Sequence, residues 1–246
     1  MIRSQRRLLQ LGCAALSLLC GGSARGGPFE VEPYRVTITQ TAKEGALEVK
    51  NTSKTVVHFH VSTTLWNQTP AGAAENTPTT DIVFFPPTFA LKPGQKKTIR
   101  VGANVPFGDV EKTYRIFVME LPPEGKAEGV KTLTRMSIPI FIRPATPKVE
   151  GRIEGKVTGG HLQFRIHNSG NVRFQLNGIQ VTGRGDGKQL ERSLPGWYVL
   201  AQGRRDHDVP LTGEECRAAK SIAIKATSDD VTLDGVIPVD ARECGP

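Results

Sequence analysis

The amino-acid sequence predicts an all-β protein made of two immunoglobulin-like β-sandwich domains, and three observations support this prediction. Short runs rich in β-branched and aromatic residues alternate between apolar and polar positions along most of the chain. Turn-forming residues separate these runs at regular intervals, with about seven runs in roughly 115 residues, which is typical of a sandwich. No stretch keeps a helical period between capping residues, which argues against all-helical and alternating helix–strand folds.

The first 24 residues are typical of an export signal. Arg3, Arg6 and Arg7 form a positive start, residues 8–19 form a short apolar core, and small residues lead to Ala24. The core is too short to span a bilayer comfortably, and no later stretch approaches about 20 apolar residues. We therefore expect an exported protein cleaved after Ala24. Removing the three arginines lowers the net charge from +8 to +5 (32 − 3 basic residues against 24 acidic ones).

Residues 25–145 are expected to form the first domain. The segment 46–50 alternates clearly, and Asn51 begins a polar turn after it. A polar stretch at 67–80 has no periodicity and predicts a loop. The other strand segments expected in this domain are 31–38, 56–66, 82–85, 97–101, 114–121 and 130–142.

A proline-containing linker at 144–147 ends the first domain, because proline stiffens the chain and interrupts strand pairing. Strand patterns then resume, with clean alternation at 162–168, so residues 146–246 are expected to form the second sandwich. The other strand segments expected there are 174–181, 197–200, 209–211, 221–226 and 235–239.

The four cysteines divide equally between the signal and the mature chain. Cys216 and Cys244 remain after cleavage, and an even pair in an exported protein favours a disulfide. A redox-active or metal-binding pair would need closer spacing. Lipid attachment to Cys13 or Cys20 is a less favoured alternative, because Leu19 is too large to precede an acylated cysteine and Cys13 lies inside the apolar core.

Patterns that would indicate an enzyme or a cofactor are missing from the sequence. His58 and His60 share a face of a predicted strand, but no spacing marks the further ligands that a metal site needs. No nucleophile elbow or phosphate-binding glycine loop occurs, so neither catalysis nor nucleotide binding is predicted. The basic residues are scattered, which argues against a nucleic-acid partner.

The segment 130–142 is the most informative one for function. Met136, Ile138 and Ile140 lie on one face of the predicted strand, which is therefore continuously apolar. This face either covers the domain's own core or belongs to an edge strand that pairs with another chain and inserts its large residues there. Pro139 favours an edge, where a missing backbone donor is tolerated, but periodicity leaves both interpretations open.

Several motifs occur in the order found in periplasmic pilus-assembly chaperones, and the chain resembles that family over nearly its whole mature length. The most specific motif is IVFFPPTFALKPGQKKTIRV at 82–101, followed by ELPP at 120–123 and IFIRP at 140–144. Further matches are Asn51, 164–170 and 197–200. The similarity is greatest to the branch that serves archaic pili and spore-coat-like fibres.

The resemblance implies a boomerang of two domains with a binding cleft between them. It implies a periplasmic chaperone that binds pilus or fimbrial subunits by donor-strand complementation, a form of β-strand addition, and delivers them to an outer-membrane usher. Such a protein is not an enzyme and needs no cofactor, metal or nucleotide. The resemblance also allows the free chaperone to self-associate by capping its own edge.

The resemblance also implies which residues form the site. Arg35 matches the cleft arginine that would bind the subunit's C-terminal carboxylate through charge-assisted hydrogen bonds. The donor strand falls on 130–142. Its expected inserted residues are Met136, Ile138 and Ile140, with Leu133 further out.

Two further features of the family concern charged residues. Glu111, Arg143 and Asp234 match a buried interdomain ion network, which is expected to fix the interdomain geometry more than it stabilises the fold. In the best-studied relatives a lysine joins the cleft arginine, and Pro139 stands at that position here. Either Arg135 or Lys131 takes this role after a bulge, or the subunit is anchored differently.

The main alternative is an exported immunoglobulin-like adhesin or binding module that uses its loops. Such a protein would keep the apolar strand in its own core and would not depend on Arg35. A fibre subunit is a second alternative. It is disfavoured because the mature chain is expected to begin only a few residues before its first strand, without an extended donor segment.

Overall fold

The architecture is that of a computed structural model, which describes residues 27–122, 132–185 and 190–245. The predicted signal, residues 1–24, and Lys131 lie outside these ranges. Within them, nearly all regular structure is β-strand, as predicted. No helix in these ranges is long and apolar enough to cross a membrane.

The first domain is a sandwich of two sheets. Its strands are β1 (Phe29–Glu32), β2 (Val36–Ile38), β3 (Glu44–Asn51), β4 (Val57–Gln68), β5 (Ala74–Pro78), β6 (Ile82–Phe85), β7 (Thr88–Leu91), β8 (Lys96–Ala103), β9 (Lys112–Glu120) and β10 (Arg135–Ile142). One sheet has the order β1-β3-β8-β6, and the other has the order β2-β10-β9-β4-β5 with β7 also pairing β4. Pairing is antiparallel except between β2 and β10, which run parallel.

Alternation along the strands builds the core of this domain. In β3, Leu47 and Val49 are fully buried, and they pack with Ile99 of β8 and Ile116 of β9 from the facing sheet. Asn51 is buried as well. Its Nδ2 donates to the carbonyl oxygens of Thr55 and Leu91 at 2.8 Å each, which fixes the turn after β3.

The predicted loop at 67–80 contains a strand, so that prediction was wrong. Strand β5 pairs with the end of β4, from Thr64 opposite Pro78 to Gln68 opposite Ala74. All residues of β5 are exposed, so burial imposes no alternation on their sequence. Only its backbone hydrogen bonding to β4 defines this strand. The period of apolar residues in a sequence reflects burial and does not reveal backbone pairing.

The second domain also has two sheets. Its strands are β11 (Gly151–Thr158), β12 (His161–Asn168), β13 (Phe174–Gly185), β14 (Glu191–Pro195), β15 (Tyr198–Val199), β16 (Arg204–Pro210), β17 (Ala219–Ser228) and β18 (Thr232–Pro238). One sheet has the order β11-β12-β16, and the other has the order β14-β13-β17-β18 with β15 pairing β13. Leu162, Phe164 and Ile166 of β12 point into the core between these sheets.

A short helix, α1 (Gly213–Ala218), follows β16 and was not predicted. Thr212 caps it by accepting a hydrogen bond from the Glu215 backbone N–H, while the Glu215 side chain accepts from the Thr212 N–H. The helix carries Cys216, which forms the predicted disulfide with Cys244 across a Cα–Cα distance of 5.6 Å. The bond ties α1 to the end of the described chain, beside the short 3-10 helix Ala241–Glu243.

Aromatic residues join the two domains. Trp66 and Phe141 from the first domain form a separate buried cluster with Tyr198 and Leu200 from the second. The Trp66 and Tyr198 rings meet edge to face at 5.5 Å, and Gln68 Nε2 donates to the Tyr198 carbonyl at 3.0 Å.

A second interdomain contact uses the loop between β4 and β5. The Asp206 N–H of β16 donates to the Pro70 carbonyl at 2.8 Å. The Arg205 guanidinium lies so close to Gly72 that a Cβ there would stand 2.5 Å from its central carbon. A side chain at position 72 would displace the Arg205 guanidinium, and the positive φ of 84° at Gly72 would strain any residue other than glycine.

A buried carboxylate at the interface pairs with arginines. Glu111 Oε2 accepts from Arg173 Nη1 at 2.6 Å and lies 3.9 Å from Arg143 Nε, while its Oε1 accepts from the Arg173 N–H at 3.0 Å. Burial raises the pKa of Glu111 above its usual value, and the attraction of Arg173 and Arg143 opposes that shift only in part. The network therefore orients the domains without a large gain in stability.

The predicted third member of this network, Asp234, lies elsewhere. It is exposed on β18, opposite Lys225 of β17. Leu233 and Ile237 turn inward to the core of the second domain, so strand alternation directs Asp234 outward. Arg173 is the second-domain partner of Glu111, which corrects the prediction.

We expect the double substitution C216A/C244A to lower the free energy of unfolding of the second domain by about 3–4 kcal/mol, because the disulfide closes a long loop in the unfolded chain. Urea unfolding followed by circular dichroism measures this change. Wild-type protein in reductant is the control and should unfold like the variant. An unchanged unfolding midpoint would contradict the expected contribution.

The raised pKa of Glu111 predicts a pH-dependent difference between wild type and E111Q. Because the folded protein holds this proton more tightly than the unfolded chain does, protonation adds stability that is fully present below about pH 4.5. That stability is lost as the pH rises through the folded-state pKa. Melting temperatures between pH 4 and pH 8 should therefore shift in favour of wild type, relative to E111Q, as the pH falls. A difference that stays constant, or changes in the opposite direction, would contradict this assignment.

Candidate functional site

Strand β10 has one partly open edge. It pairs with β9 along its whole length, from Arg135 opposite Met119 to Ile142 opposite Lys112. On its other side, β2 covers only residues 140–142. In the part of the chain that the structure describes, residues 135–139 have no strand on that side, which leaves an open edge of about 16 Å.

The hydrogen-bond pattern shows which backbone groups point to this edge. The Glu120 N–H donates to the Thr134 carbonyl at 2.9 Å, which makes these residues a hydrogen-bonded pair. Such pairs alternate along an antiparallel ladder, so even-numbered residues of β10 bond to β9 and odd-numbered residues point away. The Arg143 N–H follows the same pattern, because it points away from β9 and donates to the Ile38 carbonyl of β2 at 2.9 Å. Arg135 and Ser137 therefore offer donors and acceptors at the open edge.

Pro139 also belongs to the odd-numbered set. Its missing N–H costs no bond to β9, and its carbonyl still points to the edge side. The sequence favoured an edge for this proline without deciding between the two interpretations of the strand, and Pro139 lies where the open edge ends and β2 begins.

The side chains of β10 correct part of the donor-strand prediction. Ile138 and Ile140 are at most 2% exposed and pack in the core of the first domain. The reason is the alternation itself, which turns the even-numbered face toward the interior of the sandwich. Neither side chain is available to a partner while that core is intact.

Apolar side chains are more exposed at the start of β10 and just before it than in its second half. Met136 is only partly buried against the core, and Leu133, just before β10, is 38% exposed. Inserted side chains are therefore to be sought at Met136 and before it. Residues 123–131 lie outside the described chain.

A small pocket lies between the domains, close to the end of the open edge. Its volume is about 160 Å³, and both domains line it. The lining residues are Arg35, Thr37 and Arg143 from the first domain and Arg173, Gln175, Tyr198 and Asp230 from the second. The register between β2 and β10 places Val36 opposite Ile140, and therefore Arg35 beside Pro139.

The pocket carries an excess of positive charge. Three guanidinium groups line it, whereas Asp230 at its wall and Glu111 behind Arg173 supply the nearby carboxylates. Among described residues, no hydrogen bond or ion pair joins the Arg35 side chain to another group, and it is exposed. Arg143 Nε is buried without a hydrogen-bond partner. Such an arrangement favours binding of an anion.

The proposed second anchors do not lie in this pocket. Arg135 stands at the far end of β10, four residues and about 13 Å from Pro139. Its guanidinium lies 3.7 Å above the Phe117 ring, which holds it on the outer face of the sheet. The structure therefore corrects the assignment of Arg135. Lys131 lies outside the described residues.

Sequence reasoning missed Arg173. It lies directly before β13, and only its spatial position next to Glu111 and Phe141 shows its importance. Its neighbours in the chain carry no charge pattern that would have identified it. The described residues contain no cluster of His, Cys, Asp and Glu suited to a metal ion.

A larger cavity of about 810 Å³ lies between the β4–β5 loop and the sheet of β11, β12 and β16. Polar side chains on that sheet pair with one another: Arg165 Nε lies 3.8 Å from Asp206 Oδ1, and His161 Nδ1 lies 2.6 Å from Asp208 Oδ1. Its lining residues do not include any residue of β10. The open edge and the arginine pocket are therefore the stronger candidate site.

Comparison with solved structures shows the fold over about 85% of the chain. A chain of the CsuC–CsuE chaperone–tip adhesion subunit pre-assembly complex, from the archaic chaperone-usher Csu pili of Acinetobacter baumannii, is 21% identical with a TM-score of 0.59. The match covers 85% of this chain and 97% of that one. The class 5 fimbriae chaperone CfaA is 15% identical with a TM-score of 0.60, over 85% of this chain and 98% of its own.

A third similar structure is the complex of the Salmonella enterica SafA pilin with the SafB chaperone. It is 16% identical with a TM-score of 0.56, over 85% of this chain and 95% of the matched one. None of the curated protein sequences matches the chain. A family model does match, for the pili and flagellar-assembly chaperone, PapD N-terminal domain, over residues 28–148. This match covers almost the whole of the first domain, and by it the first domain belongs to the family of pili and flagellar-assembly chaperones.

Proposed function

We propose that this protein is a periplasmic, non-enzymatic chaperone that holds pilus subunits by strand addition at β10 and delivers them to an outer-membrane usher. The observation that carries the proposal is the open edge of β10, which ends at an arginine-lined pocket. The edge offers main-chain hydrogen bonds to an extended segment, and the pocket offers a charge that fixes where this segment ends.

The position of the pocket determines the direction of the added strand. A strand that lies along residues 135–139 occupies the line of β2, and its end next to Pro139 meets Arg35. The cationic pocket favours a carboxylate there and disfavours an α-amino group. The C-terminus of the subunit therefore points toward Arg35, and its last strand runs parallel to β10.

Apolar contacts add to this backbone pairing. The partly exposed Met136 and Leu133 are placed to enter a groove on the bound subunit. Full burial of such a side chain stabilises a complex by about 1.5–3 kcal/mol. A subunit with an incomplete sheet is protected in this way from pairing with other exposed edges, and no nucleotide is needed.

The same reasoning extends to the free protein. While no subunit is bound, the edge of β10 remains available to a second copy of the chain. Self-association in the free state, and its loss when a subunit binds, are part of the proposal.

The substitution R35E should reduce the amount of pilus subunit that copurifies with the tagged protein from the periplasm of its host. Loss of charge-assisted hydrogen bonds to a carboxylate predicts a decrease in affinity of about tenfold or more. The matched control is R100E, which reverses another exposed arginine of the first domain, on β8 away from the pocket. Equal subunit recovery with R35E and R100E would remove Arg35 from the mechanism.

The substitution S137P tests the open edge itself. It removes an N–H that points away from β9, so the sandwich should keep its stability while the added strand loses a hydrogen bond. One such bond contributes on the order of 1 kcal/mol, so we expect subunit binding to weaken about fivefold or more. Copurified subunit and the melting temperature are measured together.

The matched control for that experiment is S137A, which keeps the N–H. It removes only the hydroxyl that accepts from Arg115 Nη1 at 2.9 Å. If S137P and S137A bind the subunit equally well, strand addition does not occur at residues 135–139.

A further inference from the structure

The arginine pocket contains one cationic group that comes from the second domain. Arg173 lines the pocket together with Arg35 and Arg143 of the first domain. Its Nη1 donates to Glu111, and a guanidinium carries five N–H donors in all, so donors remain beyond this bond.

The Arg173 side chain is held in place on two sides. The guanidinium stacks 3.3 Å above the Phe141 ring, and Glu111 holds its Nη1 at 2.6 Å. The exposed Arg35 has no such restraint. A donor that is already ordered loses less conformational entropy when it binds, so Arg173 is the better organised of the two groups.

The Arg173 guanidinium lies over the face of β10 that carries Phe141. Phe141 and Pro139 share one face of β10, because side chains alternate with a period of two. The Arg173 guanidinium above Phe141 therefore lies about 7 Å along the strand from Pro139, over the face that a basic side chain at 139 would occupy.

The electrostatic balance of the pocket also favours an additional anion. Burial lowers the pKa of Arg173, the Glu111 carboxylate opposes this shift, and the nearby charges of Arg143 and Arg35 add to it. Since Glu111 is shared between Arg173 and Arg143, a bound carboxylate would relieve repulsion among the three arginines.

We propose that Arg173 is the second binding residue for the C-terminal carboxylate of the client, so that the carboxylate contacts Arg35 of one domain and Arg173 of the other. This inference rests on the proposed chaperone function and adds a specificity-determining residue to it. The client's terminus then bridges the two domains.

The test titrates the full mature protein, labelled with nitrogen-15, with N-acetylglycine and in parallel with N-acetylglycinamide. The arginine Nε–Hε resonances are assigned from the spectra of R35K, R173K and R192K. We expect the resonances of Arg35 and Arg173 to shift with the same apparent Kd for the acid and not to shift with the amide. Arg192 should not respond.

Substitutions of Arg173 test whether this residue binds the carboxylate or only supports the structure. R173Q should weaken N-acetylglycine binding about tenfold. R192Q is the matched control, because Arg192 Nη2 donates to the buried Glu215 carboxylate at 2.7 Å, in the same domain but outside the pocket. R173K keeps the charge and should retain part of the affinity, even where R173Q is too unstable to be measured.

Two outcomes would overturn the inference, and they differ in what they mean for the proposed function. If only Arg35 responds, or if R173Q binds the acid like R192Q, Arg173 has a structural role alone and the chaperone proposal stands. If neither arginine distinguishes acid from amide, the pocket does not bind carboxylates, and both the inference and the role of Arg35 fail.

Discussion

Strand β10 contributes to the core of the first domain, to the interface between the domains and to a sheet edge that β2 covers only in part. The rest of the site depends on this strand. Its even-numbered side chains close the core of the first domain, where Ile138 and Ile140 are buried. Its odd-numbered face carries Phe141 into the aromatic cluster between the domains. Its outer edge is covered by β2 at residues 140–142, and no strand in the described ranges pairs with that edge at residues 135–139. An unpaired edge normally invites aggregation. Here it ends next to a pocket that three arginines line.

Electrostatics at the domain interface links architecture to recognition. Glu111 is buried beside Arg173 and Arg143, and its raised pKa shows that desolvation outweighs the attraction of its partners. Such a pair contributes little to stability, and its value lies in fixed geometry. Because the same two arginines line the pocket, the network that joins the two domains also holds two of the pocket's three cations in place.

Most of the fold could be predicted from the sequence, because burial imposes alternation on strands such as β3 and β12. Elements on which burial imposes no regular pattern were not predicted. Strand β5 is wholly exposed and appeared as a loop. Helix α1 has only six residues, too few to show a helical period.

The site residues also differ in whether the sequence could predict them. Arg35 was identified because its position matches the cleft arginine of the family that the sequence resembles, and the structure places it in the pocket. Periodicity could not tell whether Ile138 and Ile140 face their own core or a partner, since both produce the same pattern. The roles of Asp234 and Arg173 depend on contacts between segments that are distant in the sequence. The spacing of residues along the chain does not reveal such contacts.

The most direct test is amide hydrogen exchange, resolved by residue, for the free protein and for its complex with a copurified pilus subunit. Arg135 and Ser137 should exchange rapidly in the free protein and slowly in the complex, because their N–H groups point to the open edge. Met136 and Ile138 should exchange slowly in both states, because they bond to β9. Rapid exchange at Arg135 and Ser137 in the complex would contradict strand addition at β10.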